Sequence, residues 1–238
     1  RARAGRGGAV MTDQPIFTGI VDIHHSDGTY DLDDAKRGGI AALWHKATEG
    51  VTFKDPDFWT AMDRCAAVGL LRGAYHFASG TSGAVAQADE FLSIVRAIPS
   101  HADILLCLDL EGSLDDPKTM TTADAARLVE RVREVTGRWP VLYAGSSKTR
   151  ERARRDPDSL ARLAKCPFWQ AQYGEMPTDA IGALPLWSLW QYTNGTDGPR
   201  DREKFPRVAP GFHRTAQDRS AFRGTVEEFT AWWMNCGR

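Results

Sequence analysis

The residues best placed to do chemistry form one short stretch, Asp109-Leu110-Glu111, directly after the apolar run Ile104-Leu105-Leu106-Cys107-Leu108. Alternation along a strand turns residues i and i+2 to one face, with backbone positions roughly 6.5–7 Å apart. Two carboxyl groups that close, in a partly desolvated mouth, do not both ionise freely. One is expected to keep its proton towards neutrality while the other stays anionic. Cleavage of a glycosidic bond needs that division: an acid for the departing oxygen and an anion facing an oxocarbenium-like transition state. Glu111 has the longer reach and takes the acid role. Asp109 takes the electrostatic or nucleophile-positioning role. An isolated Asp-x-Glu more often caps a loop or the next helix than it catalyses. What raises this one is its place at the end of a buried strand, with further carboxylates expected around it.

The pair needs elements to hold it. Short apolar runs recur at 17–23, 40–47, 70–77, 104–110, 141–144, 168–173 and 186–192, with a weaker eighth at 216–222. Such runs fit strands buried on both faces, as in parallel sheets. Helical spacing separates the early ones. One short helix is expected at 31–37. Another opens at Asp55-Pro56, with Asp as cap and Pro at the first helical position, and stops before Gly69. A third covers 84–98. Thr121 with Asp124, and Thr225 with Glu228, are capping-box arrangements for two more. A further helix is expected at 157–165. Five strand–helix units, three strands with little helix between them and a final helix predict an α/β fold: a TIM-like barrel, irregular in its last third.

Catalytic groups in such barrels stand at the C-terminal strand ends. The polar residues there are Asp22, Lys46, Glu49, Tyr75, His76, Asp109, Glu111, Tyr143, Gln172, Gln191 and Asp218. Four carboxylates from four strands would converge on one mouth. Tyr75, Tyr143, Tyr173 and Trp190 either fill the core or stack on sugar rings. Gln172 and Gln191 either bond acetamido groups or satisfy barrel backbone, and Lys46 and Glu49 either pair with each other or line the site.

The 238 residues suffice for one large α/β domain. A net charge of −1 gives no electrostatic case for nucleic acid or an acidic membrane as partner. Cys65, Cys107, Cys166 and Cys236 form no C-x-x-C and have no His cluster beside them, so neither a metal site nor a disulfide framework is expected. No cofactor is expected. Residues 1–13 are expected to be a disordered or appended extension, with the catalytic barrel at 14–236. The first ten residues lack the apolar core of a secretory signal, and no run approaches the ~20 apolar residues of a membrane span. The expectation is a monomer made in a bacterial cytoplasm, either a phage endolysin or a delivered effector, acting on the wall. The basic stretch from Arg150 to Lys165 is either a solvated helix face or a patch drawn to an anionic envelope.

Several segments in order resemble the glycoside hydrolase family 25 muramidases, the Chalaropsis-type lysozymes. They are Asp22-Ile23-His24-His25 with Gly28; Lys46-Ala47-Thr48-Glu49-Gly50 followed by Asp55-Pro56 and Phe58; and Gly73-Ala74-Tyr75-His76-Phe77 with Gln87-Ala88 and Phe91. Asp109-Leu110-Glu111, Trp190-Gln191-Tyr192 and Asp218-Arg219-Ser220-Ala221-Phe222 complete the set. The likeness spans nearly the whole chain. It implies a (β/α)5(β)3 barrel and retaining hydrolysis of the β-1,4 bond between N-acetylmuramic acid and N-acetylglucosamine of bacterial peptidoglycan. It maps Glu111 to the acid/base and Asp109 to its partner, with Asp22 and Asp218 in support. Retention by a covalent nucleophile and retention by the substrate's own 2-acetamido group are both open. His24 stands where the family usually has Ser, and Ser220 where Asn is common. His24 either titrates beside the site or is a hydrogen-bonded structural residue. Hydrolysis of another N-acetylhexosamine polymer such as chitin, and a catalytically inactive wall-binding barrel, are the competing functions. The intact four carboxylates speak against the second.

Overall fold

The computed structural model describes residues 14–213 and 217–238. The expected extension at 1–13, and Ala216 at the start of the eighth apolar run, lie outside them. The strands are β1 Ile16–Ile23, β2 Ala42–Glu49, β3 Phe53–Lys54, β4 Leu71–Phe77, β5 Leu105–Asp109, β6 Val141–Gly145, β7 Phe168–Ala171, β8 Leu189–Thr193 and β9 Asp218–Arg223. The helices are α1 Leu32–Arg37, α2 Phe58–Val68, α3 Ala84–Arg96, α4 Thr122–Thr136, α5 Ser146–Arg155, α6 Pro157–Leu163 and α7 Val226–Asn235.

All the strands except β3 close into an α/β barrel, in the order β1-β2-β4-β5-β6-β7-β8-β9 and back to β1. Neighbours from β1 through β8 are parallel. β9 runs antiparallel to both of its neighbours, β8 and β1. β3 is a two-residue flap paired antiparallel to the end of β2.

Alternation assigns each side chain to one of two cores. Ile20, Trp44, Leu105, Cys107, Val141, Trp169 and Leu189 fill the interior with Phe229 and Trp233 of α7. Trp44 meets Trp169 at 5.1 Å and Trp233 at 4.8 Å between ring centroids. Gly73 makes room for that stack, since a Cβ there would lie 2.2 Å from the Trp44 ring. The intervening residues, among them Leu108, Leu110, Leu142, Ala144 and Trp190, face outward against the helical layer. α7 plugs the end of the barrel where β1 begins, through Phe17 against Phe229. The opposite end is left for the site.

Side-chain caps hold α1, α4 and α7; the box expected at Thr225 and Glu228 forms, whereas at Thr121 only the half in which Thr121 accepts is present. Asp31, Thr121 and Thr225 accept from the backbone N–H three residues on, and Glu228 completes a reciprocal box. α2 differs. It begins at Phe58, and Asp55 does not cap it. The buried Asp55 carboxylate instead accepts from the Asp57 N–H and from the His25 backbone and ring, tying the β2–α2 turn to the end of β1. The basic stretch lies on α5 and α6, but it is not wholly a solvated face, for Arg152 is 1% exposed. All four cysteines are free and buried. Among the described residues no helix is long and apolar enough to cross a membrane.

Candidate active site

A pocket of about 70 Å³ opens at the C-terminal end of the parallel strands, with Asp22, Asp109, Glu111 and Asp218 in its wall. Asp22 comes from the end of β1 and Asp109 from the last position of β5. Glu111 lies just past β5. The ladder runs one bond further there, from Leu110 N–H to the Tyr143 carbonyl at 2.9 Å, so alternation persists. Leu110 is buried outward and Glu111 turns back to the pocket. The chain then reverses at Gly112, whose φ of 84° a side chain would strain. Asp218 opens β9. Because β9 is antiparallel, its first residue reaches the rim that the other strands reach with their last, directly opposite Asp22 in register.

Asp22 is held by a chain of donors. The Tyr143 and Tyr173 hydroxyls both donate to Gln191 Oε1, at 2.8 and 3.0 Å. That fixes the amide, and Gln191 Nε2 donates to Asp22 Oδ2 at 2.7 Å. Two carboxylate oxygens in the wall, Asp22 Oδ1 and Asp109 Oδ1, are buried with no hydrogen-bond partner among the described residues. A buried acceptor without a donor costs about 1–3 kcal/mol. The pocket therefore presents two unmet acceptors to whatever enters.

Burial and mutual repulsion raise every acid of the group. Asp109 is pushed well above the usual carboxylate range by burial and then by Glu111. Burial and Asp218 do the same to Asp22. Asp218 is raised to about 7 by burial, then by Asp27 and Glu111. Burial raises Glu111 too, while the Tyr143 hydroxyl and the Lys46 ammonium hold it down. The sequence expects one acid of the pair to keep its proton and the other to stay anionic; both members of the pair are raised. Asp109 lies deeper than Glu111, and burial is the first cause of the rise in both. Such an assembly can shuttle a proton across the neutral range and stabilise a neighbouring positive charge.

Residues 21–199 match the model of Glycosyl hydrolases family 25. The chain belongs to that family. The matched stretch contains Asp22, Asp109 and Glu111 and ends before Asp218. Lysozyme M1 of Streptomyces globisporus is 31% identical over 204 residues, 78% of this chain, which spans 66% of that relative's length. The N,O-diacetylmuramidase of Arthroderma benhamiae is 29% identical over 71% of this chain and 74% of its own. The structure of the bacterial lysozyme from Streptomyces coelicolor superposes with a TM-score of 0.74 at 26% identity, over 94% of this chain and 99% of that one.

In this family 25 barrel, Tyr75, Tyr143 and Gln191 also line the pocket, as their strand-end positions predict. Trp190 does not. It is fully buried on the outer face of β8 against Trp187, Tyr192 and Phe205, and its indole donates to the Gln172 carbonyl. Gln172 also stays outside, bonded through its side chain to Ser146 Oγ and the Glu175 carbonyl. Glu49 pairs with Lys46 and lines a neighbouring groove. Tyr173, expected either to fill the core or to stack on a sugar ring, belongs to the donor chain through its hydroxyl. It shares the inward parity of Trp169, and that signal was available in the sequence. His24 caps the one-turn helix His25–Asp27, accepting from the Ser26 N–H and donating its own N–H to Asp27. That is the structural role. Ser220 accepts from the Trp169 indole at 2.9 Å beneath the pocket. A larger cavity of about 400 Å³, bordered by Arg96, Arg138 and Trp139, contains no acidic side chain and does not adjoin the carboxylates.

Proposed function

We propose that this chain is a peptidoglycan muramidase, hydrolysing the β-1,4 bond between N-acetylmuramic acid and N-acetylglucosamine with retention. The observation that carries this is the pair of buried, donorless oxygens on Asp22 and Asp109, set beside a glutamate at the open lip. A pocket of about 70 Å³ is small beside ligand sites of roughly 300–1,000 Å³. It suits a substituent of a sugar ring. An acetamido N–H supplies the donor that Asp109 Oδ1 lacks. That bond favours the Asp109 anion, and the coupled pair passes its proton to Glu111.

Glu111 then protonates the bridging oxygen as the glycosidic bond breaks. The acetamido carbonyl oxygen, turned to the anomeric carbon by Asp109, forms the new bond on the opposite face. Asp109 offsets the positive charge that develops on the acetamido nitrogen. Glu111, now anionic, takes a proton from the water that attacks the anomeric carbon, and the acetamido bond opens. Two displacements give retention. The curated relatives named lysozyme and N,O-diacetylmuramidase support the substrate assignment.

The test is digestion of purified peptidoglycan with identification of the new reducing ends. Reducing N-acetylmuramic acid is the expected product. Glu111→Gln is expected to lower turnover at least a thousandfold while keeping the native melting transition. Release from chitin oligomers alone, or wild-type turnover in Glu111→Gln, would overturn the assignment.

A further inference from the structure

The cavity of about 400 Å³ lies at the pole of the barrel opposite the carboxylates. Leu105 and Leu106 at the start of β5 line it, with the ends of α3 and α4 beside them through Leu92 and Val135. β5 runs from this wall to Asp109, so about 13 Å of strand separates the two depressions. The cavity falls among the roughly 300–1,000 Å³ of small-molecule sites. Charge is spread unevenly around it. Elsewhere on the surface Arg127, Arg131, Arg155 and Arg162 each meet a carboxylate at 2.6–2.9 Å. Arg96, Arg138 and Arg238 border the cavity, and among the described residues none of them has a carboxylate at ion-pair distance. No acidic side chain lines the wall.

We propose that this cavity binds a small amphipathic anion, an oxyanion head on an apolar body, with the head on Arg96 and Arg138 and the body against Leu92, Val135 and Trp139. Guanidinium groups match the paired oxygens of carboxylates and phosphates. Both arginines are set in place by backbone bonds. Arg96 closes the last turn of α3 but donates across to α4, to the Val135 carbonyl at 3.3 Å, so it serves more than its own helix end. Arg138 spends Nε and Nη2 on the Cys236 carbonyl, at 3.1 and 2.7 Å. A guanidinium carries five N–H groups, so each keeps donors to spare. Burial and then the neighbouring Arg238 guanidinium hold the Arg138 pKa below its usual value. An anionic head would offset that repulsion. The apolar side chains beside the arginines favour a head that carries a body over a bare inorganic ion. Such a site is independent of the muramidase reaction at the other pole.

The test is titration calorimetry of the full chain with decanoate, decyl phosphate and decanol, each below its micelle-forming concentration. At least one of the two anions is expected to bind one to one, about tenfold or more tighter than decanol. The tighter anion names the head group, carboxylate or phosphate. Arg96 is exposed and makes a single bond, so Arg96→Gln is expected to fold and to weaken that anion about fivefold. Adding Arg138→Gln is expected to bring the loss to about fiftyfold, with decanol unchanged. Arg138 also fastens the end of α7, so circular dichroism melting checks the double variant, and Arg96→Gln alone decides if the double variant does not fold. Decanol binding as tightly as both anions overturns the proposal. So does a wild type that binds neither anion, and so does a folded Arg96→Gln that keeps the full affinity.

Discussion

Asp218 shows at one residue what gathering acids does to a fold. Its carboxyl is raised to about 7, so the folded chain holds a proton that the unfolded chain releases near 4. The stability this gives is complete below the unfolded value and is lost as pH rises through 7. Above that, a charged Asp218 faces Asp27 and Glu111 at a cost. Asp218→Asn is therefore expected to raise the Tm by several degrees at pH 8 and by little at pH 4, measured by scanning calorimetry. An equal shift at both pH values would show that the group titrates normally. The residues that meet in the pocket were legible because strand-end position and side-chain chemistry agreed at Asp22, Tyr75, Asp109, Tyr143 and Gln191. Trp190 and Gln172 fail on parity. Neighbours on one strand face opposite ways, so Trp190 and Gln191 cannot both point inward. Tyr173 falls on the right parity, and its hydroxyl completes the donor chain to Asp22.

Among the elements, α5 is the one whose part in the site periodicity could not reveal. Its run Ser146–Arg155 is strongly polar, so it reads as solvated surface, yet Arg152 turns inward with no carboxylate partner among the described residues. Its guanidinium donates to the Glu111 carbonyl at 3.4 Å, the Met120 carbonyl at 3.1 Å and Thr122 Oγ1 at 3.3 Å. Burial lowers its pKa to about 10, a sign that the site does not favour the charge. The three bonds pin both ends of the connection that carries Glu111 into α4. Buried charges are often replaceable by apolar groups at little cost in stability. Arg152→Met is thus expected to shift the Tm by only a few degrees while lowering kcat about tenfold, with partial recovery in Arg152→Lys. Unchanged kcat in a folded Arg152→Met would show that the clamp does not position Glu111. The other boundaries were readable where a cap decided them, as at Thr121 and Thr225. The start of α2 was misplaced because the Asp55 side chain is spent on His25 and Asp57.

For the molecule as a whole, the count of apolar runs and their spacing predicted the barrel, but not the direction of its last strand, which no local pattern encodes. The core also predicts redox behaviour. Cys65, Cys107, Cys166 and Cys236 are free and at most 3% exposed, and burial raises every one of their thiol pKa values. A chromogenic disulfide reagent is expected to find no reactive thiol in the native protein and four after unfolding, and reductant should leave the Tm unchanged. Rapid native labelling would mean that these residues open to solvent. The reversed β9 has a consequence in time as well as in space. β1 pairs with β2 soon after it in sequence, but its other edge waits for β9, near the far end of the chain. Closing that seam demands a contact of very long sequence separation, the kind that folds late. During synthesis, then, β1 and β8 would stand as open edges and Asp22 would lack its partner across the rim. Such an enzyme stays unassembled on the ribosome until nearly all of its barrel has been made.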